Sequence, residues 1–177
     1  MEIRKTRYDH PDAAALIGLL QQEYVRRYGD GDRTPVDPAH FAPPQGDYLL
    51  VYDADGQPVA SGGWRAQDSS EPGFTDGDAE LKRMFVVPEA RGRGLARVLL
   101  AELEASATAA GRRRMVLETG QRQPEAIALY GSCGYTPVPG FGYYADEEES
   151  VHLGKALGPL GDSGGLAGPA PAEPVSA

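Results

Sequence analysis

The strongest constraint in this chain is an order of patterns. Three β-prone runs follow one another with no helix between them, and strand and helix patterns then alternate. Tyr48–Tyr52 and Pro58–Arg65 are apolar runs joined by Asp53-Ala54-Asp55-Gly56-Gln57, and Asp-Gly between such runs predicts a hairpin. Ala79–Val87 is the third run, stopped by Pro88, and the polar stretch 67–78 before it, with Gly73 and Gly77, reads as an exposed loop. Leu95 to about Ala110 carries Leu95, Val98, Leu99 and Leu103 at helical spacing. Arg113–Glu118 reads as a strand, Pro124–Ser132 as a short helix stopped by Gly134, and Tyr135–Val138 and Ser150–Lys155 as short final strands. Ahead of the hairpin, Glu2–Arg7 is a first strand, followed by a helix to about Tyr28 that Asp9 caps and Pro11 opens. A proline-containing loop with a short turn near Phe41 connects this helix to the hairpin.

Hairpins make antiparallel neighbours, and helices between strands make crossovers. The expected fold is therefore α/β: a single domain over residues 1–157 with a mixed central sheet of about six or seven strands and about four flanking helices. Residues 158–177 contain five Gly and four Pro with no aromatic residue, Lys or Arg. Such a stretch cannot bury enough apolar surface to offset its ordering entropy, and a disordered C-terminal tail is expected.

Charge narrows the partners. The net charge is −9, which disfavours nucleic acid and anionic membrane surfaces. Yet Lys82 to Arg122 holds nine basic and four acidic residues, so an acidic protein carries one strongly basic segment, which charge alone reads first as a solvated basic helix face and otherwise as a site suited to a small polyanion. No apolar run approaches the ~18 residues of a membrane span, and Met1–Lys5 lacks the apolar core of a signal peptide. A cytoplasmic protein is the expectation. Cys133 is the only cysteine, which excludes an internal disulfide and disfavours a cysteine-based metal site; it reads as a small residue packed at a helix end. His10, His40 and His152 lack metal-ligand spacing, and no metal is expected.

Within the basic segment, Arg91-Gly92-Arg93-Gly94-Leu95-Ala96 joins the end of a strand to the start of a helix. The first helical N–H groups have no intrahelical partner, and the helix dipole adds positive potential there. Glycines let that backbone approach a phosphate closely. The loop is not a P-loop, for no Gly-Lys-Ser/Thr follows, and not a Rossmann turn, for Arg97 stands where a third glycine belongs.

Three segments at their expected spacings make the chain resemble the GNAT superfamily of acetyl-CoA-dependent N-acetyltransferases. Ala79–Pro88 resembles the family's central strand. Arg91-x-x-Gly94-x-Ala96 matches its Gln/Arg-x-x-Gly-x-Gly/Ala loop. Pro124–Tyr135, with Ala126-x-x-Leu129-Tyr130 and the closing Gly134-Tyr135, resembles its later helix. Gln123 stands where many members carry Asn. The resemblance implies that the amides of Arg91, Gly92, Arg93, Gly94, Leu95, Ala96 and Arg97 bind the coenzyme A pyrophosphate. It also implies that the main chain of Phe85, Val86 and Val87 pairs with the pantetheine arm, and that Gln123 contributes to the cofactor site. Acetyl-CoA is the implied co-substrate, and a homodimer is a mild expectation.

Amide formation requires the amine to lose a proton and the leaving thiolate to gain one. Tyr130 matches the family's proton donor, against the alternative that it only packs its helix on the sheet. Glu80 matches a position where some members carry a general base. Direct transfer from an alkylammonium near 10.4 to a carboxylate near 4.3 is uphill by about 8 kcal/mol, so burial or a water relay must close the gap. Glu80 is thus a base or relay, a carboxylate that recognises the amine's charge, or a partner of Lys82. Phe141, Tyr143 and Tyr144, with the loop from about Arg26 to Phe41, are expected to shape the acceptor pocket. Asp146–Glu149 reads as a solvated turn that can bias acceptor choice toward cations. The expected function is acetylation of a primary amine on a small molecule. The alternatives are acetylation of a protein N-terminus or lysine, and a non-catalytic acyl-CoA-binding module, against which the joint presence of Glu80 and Tyr130 counts.

Overall fold

The computed structural model describes residues 1–158. Of the expected tail, 158–177, all but its first residue lies outside the described residues. In chain order the elements are β1 (Glu2–Thr6), α1 (Pro11–Tyr28), β2 (Gly46–Tyr52), β3 (Pro58–Gln67), β4 (Asp78–Val86), α2 (Leu95–Ala109), β5 (Arg114–Gly120), α3 (Pro124–Ser132), β6 (Thr136–Pro137) and β7 (Ser150–Ala156). Short 3-10 turns include Pro38–Phe41, the turn expected near Phe41. The seven strands form one mixed sheet, as expected, and their order is β1-β2-β3-β4-β5-β7-β6. No described helix is long and apolar enough to cross a membrane.

Period-two alternation sends successive β2 side chains to opposite faces, and both faces are covered. Tyr48, Leu50 and Tyr52 pack under Ala13, Leu16 and Leu20 of α1. Leu49 and Val51 join Leu81, Met115 and Leu117 under α2. The α2 face is rotated from the expected one. Leu95, Leu99 and Leu103 are buried, but Leu100 and Ala107 complete the stripe, and Val98 is 41% exposed. Both choices fit helical spacing, and the position of the sheet decides between them. The cap of α1 also differs. His10 Nδ1 accepts from the Asp12 N–H at 3.2 Å, while Asp9 is occupied by Arg7. Pro11 starts the helix one residue later than a cap at Asp9 requires.

The seam that positions the site is the one between β4 and β5. These strands pair in parallel over only three residue pairs, Asp78–Arg114 to Glu80–Val116. The fully buried Asp78 carboxylate clamps its start, accepting from Arg114 Nε and Nη2, both at 2.7 Å. Beyond Glu80 the strands part, and the sheet opens into a gap bounded by Leu81–Val86 on one side and Leu117–Gly120 on the other.

Candidate active site

Two cavities meet along the β4 wall of this gap. One, of about 360 Å³, is lined by Met84–Val86, by the loop before α2 and by α3. The other, of about 420 Å³, is lined by Leu81–Arg83 and by the β5 residues Glu118–Gly120. Gln123 borders both.

The first cavity is built at a helix start. Gly92 and Gly94 have φ of 74° and 78°, the left-handed region that L-residues enter only at a cost. No side chain caps α2, so the Leu95, Ala96 and Arg97 amides are left without an intrahelical partner. A Cβ added at Gly92 or Gly94 would meet nothing within 4 Å, so the space beside the loop is open. Of the residues expected to bind the cofactor, Phe85, Val86, Arg91, Gly92, Gly94, Leu95, Ala96, Arg97 and Gln123 line this cavity. Arg93 is exposed outside it, and Val87 turns its N–H to Val59 O at 3.0 Å.

That last bond fixes how β4 presents its edge. Ala60 and Val86 are opposite one another. A bond from Val87 N–H to Val59 O makes them a non-hydrogen-bonded pair, whose own N–H and C=O point away from the partner strand. The Val86 main chain therefore faces away from β3, toward the gap. Nearby, Arg83 and Met84 stand opposite the single residue Gly62, a bulge. Arg83 itself has φ of 57°. Its guanidinium is held by Asp32 and by the Tyr8 hydroxyl at 3.4 Å.

Tyr130 lines the first cavity and stacks edge-on against Tyr135 at 5.7 Å. Burial pushes its phenol well above the ordinary value, so it remains protonated at neutral pH. Half-buried Cys133, at the C-terminus of α3, accepts from Arg97 Nη1 at 3.2 Å.

Glu80 borders neither cavity. It is 3% exposed and fully engaged. One oxygen accepts from Arg65 Nε and Gln67 Nε2, each at 2.8 Å, and the other lies 3.6 Å from Lys82 Nζ. Burial alone would raise its pKa, but Lys82, Arg65 and these bonds outweigh burial and hold it below the ordinary carboxylate value.

Of the carboxyls that line the second cavity, Glu118 is the one on β5. Ser150 Oγ donates to it at 2.8 Å, and among the described residues no cation lies within ion-pairing distance. Burial raises its pKa above the ordinary glutamate value. Sequence reasoning passed over it, although a lone carboxylate closing the apolar run Met115-Val116-Leu117 was a usable signal.

The expected acceptor segments do converge on this second cavity. Asp30–Arg33, Tyr143, Tyr144, Glu147 and Glu149 all border it. The Arg33 N–H donates to the Tyr144 hydroxyl at 2.8 Å, joining the two segments. Phe141 does not take part; it is buried between Phe74 at 4.7 Å and His152 at 4.9 Å. Burial lowers the pKa of His152, against a backbone hydrogen bond to Phe141 that raises it. No described cluster of His, Cys, Asp and Glu has a metal-binding arrangement.

Comparison with known proteins follows the same outline. The profile described as "Acetyltransferase (GNAT) family" matches residues 13–135. An IAA acetyltransferase of Azospirillum brasilense is 43% identical over 81 residues, which is 46% of this chain and only 53% of that relative. The Escherichia coli protein named "Uncharacterized N-acetyltransferase YjgM" is 32% identical over 76% of this chain and 81% of its own length. Among solved structures, a Klebsiella pneumoniae protein described as an acyl-CoA N-acyltransferase superposes with a TM-score of 0.71 at 29% identity, covering 88% of this chain and 97% of that one.

Proposed function

The chain belongs to the GNAT family of acetyltransferases, and we propose that it moves an acetyl group from acetyl-CoA directly to a primary amine of a small molecule. The observation that carries this reading is the meeting of two cavities at the β4–β5 gap. One is walled by unclaimed helix-start amides and the other by carboxylates and tyrosines.

The residues present fit acetyl-CoA. The open amides of Leu95–Arg97 suit a pyrophosphate, the loop glycines leave it room, and the outward main chain at Val86 suits an extended amide-bearing arm. When bound, acetyl-CoA supplies the thioester as acyl donor. Tyr130 holds the proton that the leaving sulfur takes. Glu118 receives the proton that the acceptor ammonium gives up, directly or through a water. Its raised pKa narrows the mismatch that makes an ordinary glutamate a poor acceptor. Glu80 instead neutralises Arg65 and Lys82, the second of which lines the cavity.

Two features support a small cationic acceptor over a peptide or a carboxylated substrate. The Arg33–Tyr144 bond bridges the two acceptor segments, which suits a closed pocket better than an open groove. The cavity's cations are also spoken for: Arg33 pairs with Asp30, Arg83 with Asp32, and Lys82 lies between Asp32 and Glu80. Glu118 has no such cation partner.

The test is thermal unfolding with acetyl-CoA, with ATP and NAD as controls, followed by thiol release with a panel of amines. At a hundred times its dissociation constant a single-site ligand stabilises by about 2.7 kcal/mol. A shift with acetyl-CoA alone, then thiol release with small amines, is expected. No shift at millimolar acetyl-CoA would overturn the reading. A shift with no thiol release from any small amine or peptide would favour a non-catalytic binding module.

A further inference from the structure

The donor cavity contains two acids that a polyanion site does not call for, Glu23 of α1 and Glu125 of α3. Their partners explain what they do. Arg91, from the loop before α2, donates Nη2 to Glu23 at 2.6 Å and Nε to the Val86 carbonyl at 3.0 Å. That carbonyl is one of the two Val86 groups turned away from β3. Glu23 is anchored from its other side by Arg27 Nη2 at 2.8 Å, and Arg27 pairs in turn with Glu125 at 2.5 Å.

We propose that Arg91 latches the donor cleft: its guanidinium, held by Glu23, fills the Val86 carbonyl that the extended arm of coenzyme A would engage, so donor binding must draw Arg91 away from Glu23. This rests on the reading of the first cavity as the coenzyme A site. The carbonyl has two lone pairs, but Arg91 takes one of them from within the cavity that both residues line, where an incoming arm would also have to lie. The Arg91–Glu23 pair spans loop and helix, with the Arg91 side chain 41% and the Glu23 side chain 15% exposed, so it is a contact that ligand charge can break without unfolding anything. Once Arg91 swings off, its charge is free for the phosphates, while Glu23 stays in place on Arg27. Glu23 thereby sets donor affinity below what the cleft alone would give.

The sign of the effect makes this testable. Removing an acid that merely holds α1 in place should weaken binding; removing one that restrains Arg91 should strengthen it. Calorimetric titration of the full chain with acetyl-CoA is the assay, on wild type, Glu23→Gln, Arg91→Ala and the double variant, with circular dichroism as the folding control. Glu23→Gln is expected to tighten binding about three- to fivefold, the scale of a partly exposed pair, and to have no effect in the Arg91→Ala background. Glu23→Asp, which keeps the charge but withdraws the carboxylate, is expected to tighten binding as well. Unchanged or weaker binding by Glu23→Gln overturns the latch. So does equal tightening in the Arg91→Ala background, which would mean simple repulsion of the ligand by Glu23. Absence of binding in all five proteins overturns the donor-site reading itself, and the latch with it.

Discussion

Replacing Glu80 with glutamine separates a residue that holds the site together from one that performs chemistry. The substitution keeps the shape of the side chain and removes its charge, leaving Arg65 and Lys82 buried with less compensation. Removing one member of a buried ion pair costs about 3–5 kcal/mol. The lower end applies here, because Asp32 still faces Lys82 at 3.8 Å. In a domain of this size ~3 kcal/mol corresponds to a fall in Tm of about 6–12 °C. The pH dependence carries its own sign. A carboxylate whose folded pKa is depressed contributes stability that is present above its unfolded value and lost as pH falls through the folded one. The gap between wild type and Glu80→Gln should therefore be full at pH 7 and should close on acidification below the ordinary glutamate range. Calorimetric scans across pH, with thiol-release rates measured well below the variant's Tm, give both quantities. A Tm within about 2 °C of wild type, combined with loss of turnover, would refute the reasoning and restore Glu80 as the proton acceptor.

Glu118→Gln should act the other way. The wild-type rate should rise with pH through an inflection above the ordinary carboxylate range, and the variant should lose that limb. Wild-type stability should fall as pH rises through the same window, because the folded state holds the proton more tightly; a variant with the wild-type pH–rate profile would remove Glu118 from the chemistry. Tyr130→Phe should lower turnover by about a hundredfold, the low end of what a positioned acid contributes, with acetyl-CoA affinity unchanged by calorimetry; unchanged turnover removes it as donor. Gly94→Val meets open space but forces a branched residue into a left-handed turn at about 1–2 kcal/mol. The fold should persist by circular dichroism while acetyl-CoA binding weakens at least tenfold, and normal binding would mean the loop is not the phosphate site.

The first cavity was legible in the sequence because it is local. Strand, glycine loop and helix start are consecutive in the chain, so spacing alone brings Val86, Gly94 and Ala96 together. The second cavity is assembled from distant segments. Glu80 stood out as a carboxylate on the central strand, but the residue that claims it, Arg65, is its cross-strand partner, and pattern does not give register. Glu118 acquires its character from burial and from Ser150 on the neighbouring strand, neither of which spacing reveals. Smaller departures have the same origin. Both Val98 and Leu100 satisfy helical periodicity, and only the sheet beneath decides which is covered.

The short seam between β4 and β5 has a consequence for motion. With only three residue pairs holding the two halves of the sheet together, amides bordering the gap lack the cross-strand protection of those in the long ladders β2–β3 and β5–β7. On the proposed reading, a donor whose arm lies along Val86 would act as a temporary strand. Deuterium uptake should then slow along the outer part of β4 when acetyl-CoA is added, while the Asp78–Arg114 end, already clamped, stays as slow as before. The halves of the sheet are joined at one end by the seam, and on that reading the ligand would stitch them at the other, so the protein's rigidity would itself depend on the presence of its donor.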